Sequence, residues 1–339
     1  MREVRGAIHL HSKYSDGSGT VGEIVQAASN AGLDFVILTD HDSLEARRDG
    51  WEGWHGDVLL AIGVEITPKR GGHIVALNVE EVDGYKYLPE EEIVRRVRAQ
   101  GGLAFVVHPE GKRRLDIGVN LKRWQNWHLG DFQGLEIWSF MHDWAEKFRW
   151  WKVRDFYRAP YSKITGPDLK LLEVWDRLCK KRKVSAFAGL DAHAKPLFLT
   201  RYKFLPYERI LDTTLTYVLV EDWSRDDKED VRRLYSALQE GRAFVANDHD
   251  LAARGFRFYA ETETGRYEMG ESVPPGLMCA FHVILPEAAR ISVKKDGNGL
   301  LSKYGSTFDF QTHDRGVYRV EVFRENRPWI FSNPIYVGL

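Results

Sequence analysis

Cysteine is scarce: only Cys179 and Cys279 occur in 339 residues, far apart in the chain. Two such residues cannot build a disulfide framework, so a packed core must hold the fold and a reducing, cytoplasmic compartment is expected. Long apolar runs are missing too. Nothing approaches the roughly eighteen uninterrupted apolar residues of a spanning helix, so no membrane partner is expected. The opening Met1-Arg2-Glu3-Val4-Arg5 leads straight into an apolar run and lacks a signal-peptide pattern. Nor is there an excess of charge, with 48 basic residues against 49 acidic ones. Without a net field no nucleic-acid partner is expected. The basic run Lys180-Lys181-Arg182-Lys183 reads as a helix end, where cations suit the dipole. No Ser or Cys stands with a matching base, which sets side-chain nucleophilic catalysis aside.

What is present is ample apolar residue, 43%, for a sizeable core in a chain longer than one usual domain. Tryptophan is abundant, and seven of the eleven fall between Trp124 and Trp175. That density suggests an insertion that packs over, or lines, something.

The chain is organised around Gly6-Ala7-Ile8-His9-Leu10-His11-Ser12-Lys13-Tyr14-Ser15-Asp16-Gly17. Alternate residues of an extended strand share a face, so His9 and His11 point the same way. The polar loop that follows returns Asp16 five residues after His11. Two nitrogens and an oxygen converging in this way start a metal site. Four further stretches repeat the theme: Thr39-Asp40-His41-Asp42, Gly63-Val64-Glu65 with His73, Val107-His108-Pro109, and Gly189-Leu190-Asp191-Ala192-His193. Each places His, Asp or Glu within or just beyond an apolar run.

The runs themselves read as strands, and capped amphipathic segments between them read as helices. Thr20 and Glu23 make a capping box opening a helix to Ala31; Pro89-Glu90-Glu91-Glu92 opens another to Gln100. Two more helices are expected over Asp143–Tyr157 and Asp168–Lys183. Strands alternating with helices imply βαβ units and a parallel sheet. Ligand candidates at many strand ends favour a closed barrel over an open sheet, because βα loops converge at one face of a barrel. After about Asn247 the pattern turns to short alternating runs split by turns such as Pro274-Pro275-Gly276, which suits a small all-β sandwich. His249, His282 and His313 read as surface or packing residues.

Taken together, His9-x-His11, Ser15-Asp16-Gly17, Thr39-Asp40-His41-Asp42, Gly63-Val64-Glu65, His108-Pro109 and Asp191-Ala192-His193 resemble, in order, the polymerase and histidinol phosphatase (PHP) family of metallohydrolases. The C-terminal block around Trp329-Ile330-Phe331-Ser332-Asn333 resembles the carbaryl-hydrolase-like (CehA/McbA) branch. The resemblance implies an α/β fold: a distorted (β/α)7 PHP barrel over residues 1–253, then an Ig-like β-sandwich over 254–339. It implies two or three divalent metal ions, Zn, Mn or Fe. His9, His11, Glu65 and Asp191 would hold one; Glu65, His73 and His108 a second, unless His73 instead supports Glu65; Asp16, His41 and His193 a third. Glu65, Asp191 and His193 are the catalytic candidates. Asp40 and Asp42 would orient His41 or cap the following helix. Glu136 and Trp138 sit on a strand end facing the site, Glu136 being either a buried structural carboxylate or a pocket residue.

The expected activity is hydrolysis of a small phosphate ester by a metal-bound hydroxide, with Lys195 and Arg201 as substrate-binding cations. A carbamate or carboxyl ester hydrolase is the alternative, with the aromatic segment from Trp138 to Trp151 as its substrate wall. A non-catalytic binding module is a third reading, but a structural metal needs only about four ligands. The expected partner is a small molecule, and the oligomeric state is left open.

Overall fold

β-Branched and aliphatic runs too short for helices become strands up to residue 247, and the segments between them with a single apolar face become helices. The computed structural model of the chain describes residues 1–111, 113–115, 119–196 and 203–339. The first elements are β1 (Arg2–Leu10), α1 (Val21–Asn30), β2 (Phe35–Leu38), α2 (Glu45–Arg48), β3 (Gly53–His55), β4 (Val58–Ile62), β5 (Val64–Ile66) and β6 (Ile74–Leu77). Then come α3 (Glu90–Ala99), β7 (Leu103–Val106), a small ribbon of β8 (Arg113–Arg114) and β9 (Val119–Asn120), β10 (Gly134–Ser139) and α4 (Phe140–Lys147). After these stand α5 (Val153–Arg158), α6 (Leu169–Cys179), β11 (Ser185–Ala192), α7 (Tyr207–Ile210), β12 (Thr214–Val220), α8 (Asp227–Glu240) and β13 (Ala243–Asn247).

The result is a mixed α/β fold with one large sheet. β1 pairs in parallel with β2 and with β11, β11 with β10, and β10 with β7. On the other side β2 pairs in parallel with β4, which runs on past Gly63 into β5. β5, β6 and β7 then pair antiparallel in turn. Successive pairings thus lead away from β1 and return to it. Alternate strand residues divide between two cores: Val36, Leu38, Leu60, Ile62, Val106 and Leu135 share one with the helices α1 and α3, and Ile8, Ile37, Leu59, Val75, Phe105 and Phe187 belong to the other. α1 closes one side with Ile24, Val25 and Ala28 packed inward, and its capping box is complete: Thr20 accepts from the Glu23 N–H while Glu23 accepts from the Thr20 N–H. Such a cap is worth about 1 kcal/mol. Among the described residues no helix is long and apolar enough to cross a membrane.

The single helix expected over Asp143–Tyr157 is instead broken into α4, a tight turn at Trp150–Lys152 and α5. The break falls at Phe148, whose backbone is extended so that its ring can bury against Trp144, Trp150, Phe156 and Phe204. Aromatic burial outweighs the smaller preference for continuing the helix.

The remaining elements are strands: β14 (Arg257–Thr262), β15 (Gly265–Glu268), β16 (Ser272–Val273), β17 (Cys279–Lys295), β18 (Asn298–Thr312), β19 (Gly316–Arg324), β20 (Arg327–Ser332) and β21 (Ile335–Val337). They are tied closely to what precedes them. β20 pairs antiparallel with both β13 and β19, so one ladder runs from the first part of the chain into the last. Buried Arg319 donates twice to Asp176 of α6, at 2.6 and 2.8 Å, and once to Glu321 at 2.7 Å. Asn333, fully buried, does the work of a missing strand neighbour. Its amide accepts from the Ala186 N–H at 2.8 Å and donates to the Ala186 and Ala243 carbonyls, each at 2.9 Å. Asn333→Ala removes these partners from the Ala186 N–H and C=O in a dry environment, while the Ala243 carbonyl keeps the backbone N–H of residue 333 at 3.2 Å. We expect it to lower stability by about 3 kcal/mol in denaturant unfolding, whereas Asn333→Asp, which keeps only the accepting oxygens, fares no better.

Candidate metal centre

The strand ends that carry the candidate ligands are irregular. β1 slips register between Ile8 and Leu10 against both neighbours, so His9 occupies a bulge rather than a place in plain alternation. β11 bulges at Leu190–Asp191, and β10 bulges at Ile137, just after Glu136. His9, His108 and Asp191 all have left-handed backbones, with φ of 68°, 31° and 50°. A non-glycine residue held there costs about 1–3 kcal/mol, so the surrounding ladders must over-determine it. Bulges re-aim side chains, and here they turn ligands inward from neighbouring strands.

Glu65 lies at the centre, wholly buried. Its Oε1 is 2.7 Å from His73 Nδ1 and 2.9 Å from His108 Nε2. Its Oε2 is 3.2 Å from both His9 Nε2 and His11 Nε2, and 3.1 Å from His41 Nδ1. Asp191 Oδ1 stands 3.3 Å from His11 Nε2 and 3.6 Å from His9 Nε2. Asp16 Oδ1 faces His193 Nε2 at 3.1 Å and His41 Nε2 at 3.5 Å. The structure thus gathers three groups whose ligand atoms lie within 4.8 Å of one another: His9, His11, Glu65 and Asp191; Glu65, His73 and His108; and His11, Asp16, His41 and His193. His11 belongs to the first and the third, a sharing that its spacing in the sequence does not reveal.

These donors fit a divalent ion. His9 Nε2, both nitrogens of His11, Glu65 Oε2 and His108 Nδ1 are buried without a hydrogen-bond partner. His9 gives its Nδ1–H to Glu136, leaving a lone pair on Nε2 that faces a carboxylate oxygen. Two acceptors at that spacing need a cation between them. Donors about 2.0–2.2 Å from an ion at tetrahedral angles sit about 3.3 Å apart, close to the spacing found here. The mixed imidazole and carboxylate set suits Zn, Mn or Fe.

Other side chains hold this set in place. Glu136 is a buried carboxylate behind the ligands, at 2.9 Å from His9 Nδ1 and accepting from the His108 N–H at 2.7 Å. Asp40 neither orients His41 nor caps a helix. It accepts from the Ser12 N–H, the Ser12 hydroxyl and the Ser15 hydroxyl at 2.6–2.7 Å, shaping the loop that carries Asp16. Asp42 accepts from the Thr67 N–H, α2 has no side-chain cap, and it is Thr67 Oγ1 that meets His41 Nδ1 at 2.8 Å. Trp138 does not face the site either: its indole packs near Phe331 and donates towards Asp143. Lys195 donates to Asp16 at 2.7 Å at the rim, and Arg201 lies outside the described residues. His249 stacks on Tyr161, His282 pairs with Asp309 and His313 is exposed, all apart from the three groups.

Two contributors carried no signal in the sequence. The Tyr207 hydroxyl donates to the His11 carbonyl at 2.6 Å, and Thr67 braces His41. Above the ligands opens a cavity of about 230 Å³ whose wall includes Met141, Trp144, Trp150, Phe204 and Leu205. Tryptophan density had pointed to the aromatic part of that wall.

Charge is strongly coupled here. Burial disfavours the charged form of His11, yet the close carboxylates of Asp191 and Glu65 outweigh it and raise its pKa to about 9. Burial pushes neighbouring His41 down to about 4, and the charge of His11, stacked 4.3 Å away, adds to the fall. Burial alone would raise Glu65 and Asp191, but the surrounding imidazoles hold both well below the usual carboxylate range.

Six imidazoles and three carboxylates gathered at the ends of neighbouring strands define a candidate centre for more than one metal ion. Residues 7–92 match the PHP domain. The uncharacterized protein MJ1587 of Methanocaldococcus jannaschii is 31% identical over 121 residues, which span 31% of this chain and 68% of that protein. The chain belongs to the PHP domain family. Among solved structures it is similar to a two-domain protein of Bacteroides vulgatus ATCC 8482, described as containing a predicted PHP-like metal-dependent phosphoesterase. That likeness has 15% identity and a TM-score of 0.48 over 98% of this chain and 95% of the other. It is also similar to PsfC of Pseudomonas syringae PB-5123, with 13% identity and a TM-score of 0.42 over 70% of this chain and 90% of the other.

A raised His11 pKa fixes the sign of a pH effect. Its protonated form stabilises the metal-free fold fully below the unfolded value of about 6.5, and that stabilisation is lost as pH rises through about 9. An incoming ion must displace the same proton. Zinc titrations at pH 7.5 in two buffers of different ionisation enthalpy should therefore show proton release. The melting temperature of metal-free protein should fall between pH 7 and pH 9.5, while that of zinc-loaded protein should hold.

Proposed function

We propose that this chain is a metal-dependent hydrolase, a phosphoesterase acting on a small phosphate ester at a di- or trinuclear site. One observation carries the reading: both oxygens of a single buried carboxylate, Glu65, face imidazoles of all three ligand groups, so ions held there would lie side by side. Adjacent divalent ions supply Lewis acidity towards an ester and neutralise charge on its attacking and leaving oxygens. Zn, Mn or Fe would each suit the donors.

The residues of the chain divide the remaining tasks. Glu65 and Asp191 stay anionic and offset the charge of the ions. His193 gives its Nδ1–H to the Asp191 carbonyl at 2.9 Å, leaving Nε2 for the Asp16 side of the site. Lys195, already paired with Asp16, adds positive charge at the rim beside the incoming phosphate. The wall of Met141, Trp144, Trp150 and Phe204 excludes water and seats the carbon part of the substrate. That same wall favours a second reading, a carbamate or carboxyl ester hydrolase of the CehA/McbA type, because an uncharged ester needs little beyond ions and an apolar seat.

In this reading the strands β1, β2, β4 with β5, β6, β7, β10 and β11 make a distorted (β/α)7 barrel. Residues 1–253 then form the catalytic unit, and residues 254–339 form an appended β-sandwich.

The test is a panel of p-nitrophenyl phosphate, bis(p-nitrophenyl) phosphate, p-nitrophenyl acetate and an aryl carbamate, run on protein of measured metal content. Turnover of a phosphate ester supports the first reading. Turnover of only the acetate or carbamate by fully metallated protein replaces it with the second. Glu65→Ala should lose at least one ion per chain and all turnover while keeping its circular dichroism spectrum; full metal content in that variant would refute the centre.

A further inference from the structure

Glu136 touches two ligands that belong to different groups, and it touches them in different ways. Oε1 lies 2.9 Å from the His9 imidazole Nδ1, while Oε2 accepts from the backbone N–H of His108 at 2.7 Å. Both ligands sit on left-handed backbone, where something outside the strand must hold them. A carboxylate only accepts, so its presence assigns the His9 proton to Nδ1 and leaves Nε2 bare towards Glu65 and Asp191. We propose that Glu136 is a positioning residue: it selects the His9 tautomer that can bind an ion, and the same carboxyl group pins the His108 backbone, linking two ligand groups from behind. This rests on the metal-centre reading but not on which ester is hydrolysed.

The chain makes room for this carboxylate at one place. A Cβ on Gly189 of β11 would stand 1.8 Å from Glu136 Oε1 and 3.0 Å from His9 Cβ. Space is the only obstacle there, because Gly189 is not among the left-handed glycines. Glycine at 189 is therefore what lets the carboxyl group reach His9.

Replacing the acid by its amide separates the two contacts. An amide has one accepting oxygen and one donating nitrogen. The His108 N–H is a donor that cannot change, so it takes the oxygen and turns the NH2 towards His9. Nδ1 must then accept, and the His9 proton moves to Nε2, the atom facing Glu65 and Asp191. Loss of such a partner typically costs about 10- to 100-fold in metal affinity.

The experiment is a calorimetric zinc titration of Glu136→Gln and of the parent protein, paired with ¹⁵N spectra of histidine-labelled, zinc-loaded protein. The expected result is one class of zinc binding weakened by about 10- to 100-fold, with the other little changed. The His9 ring proton should sit on Nδ1 in the parent and on Nε2 in the variant. Gly189→Ala, which displaces the carboxylate without changing its chemistry, should weaken the same class of binding. The proposal is overturned if Glu136→Gln keeps parental affinities with the proton on Nδ1. Equal weakening of both classes also overturns it, since that marks a merely structural role. A parent protein that binds no zinc removes the metal-centre reading together with the proposal.

Discussion

A fully buried carboxylate is the constraint around which the rest of this molecule is arranged. Taking the charge of Glu65 out of water is expensive unless it is met by partners of opposite sign or by hydrogen bonds. Five imidazoles from four separate stretches of chain meet it, and each arrives from a strand end or an adjoining loop. Glu65 itself stands where β4 passes into β5 and its parallel partner gives way to an antiparallel one. No ligand can be removed without leaving the others unbalanced, which is why the cluster resists a reading as a set of independent histidines.

Convergence of that kind does not come free from regular strands. Ideal parallel strands project side chains at right angles to the sheet, so ligands on neighbouring strands would stand in rows. Bulges at His9, Ile137 and Leu190–Asp191, with left-handed backbone at His9, His108 and Asp191, bend those rows into a bowl. The strain is held by ladders on both sides and by side-chain bonds such as that of Glu136 to the His108 N–H. Structure and site are thus one problem: strands regular enough to close, yet irregular enough at one end to gather ligands.

Much of the candidate centre was legible because metal ligands are a short vocabulary and lie where apolar runs stop. His9, His11, Glu65, His108 and Asp191 could be named on those grounds. The roles of their supports could not. Asp40 and Asp42 looked like partners of His41 because they flank it, yet strand geometry sends their carboxylates to the Ser12–Ser15 loop and to Thr67. Trp138 was misplaced for a related reason, since the bulge at Ile137 turns it away from the face that Glu136 occupies. Tyr207 and Thr67 act through ordinary hydrogen bonds across long separations, and a single sequence gives no hint of those. Helix propensity likewise failed at Phe148, where burial of one ring among others decided the backbone.

Asn333 has a consequence for anyone treating this protein as a set of interchangeable parts. Its side-chain amide is grafted into the backbone ladder at Ala186, in β11, the strand that carries Asp191. A foreign C-terminal segment fused after β13 would supply hydrophobic cover but not that amide at that spot. Shuffling or circularly permuting the chain must therefore carry Asn333 along with β20 and β21, which flank it, and libraries built in the last residues should be screened for ion content as well as for yield.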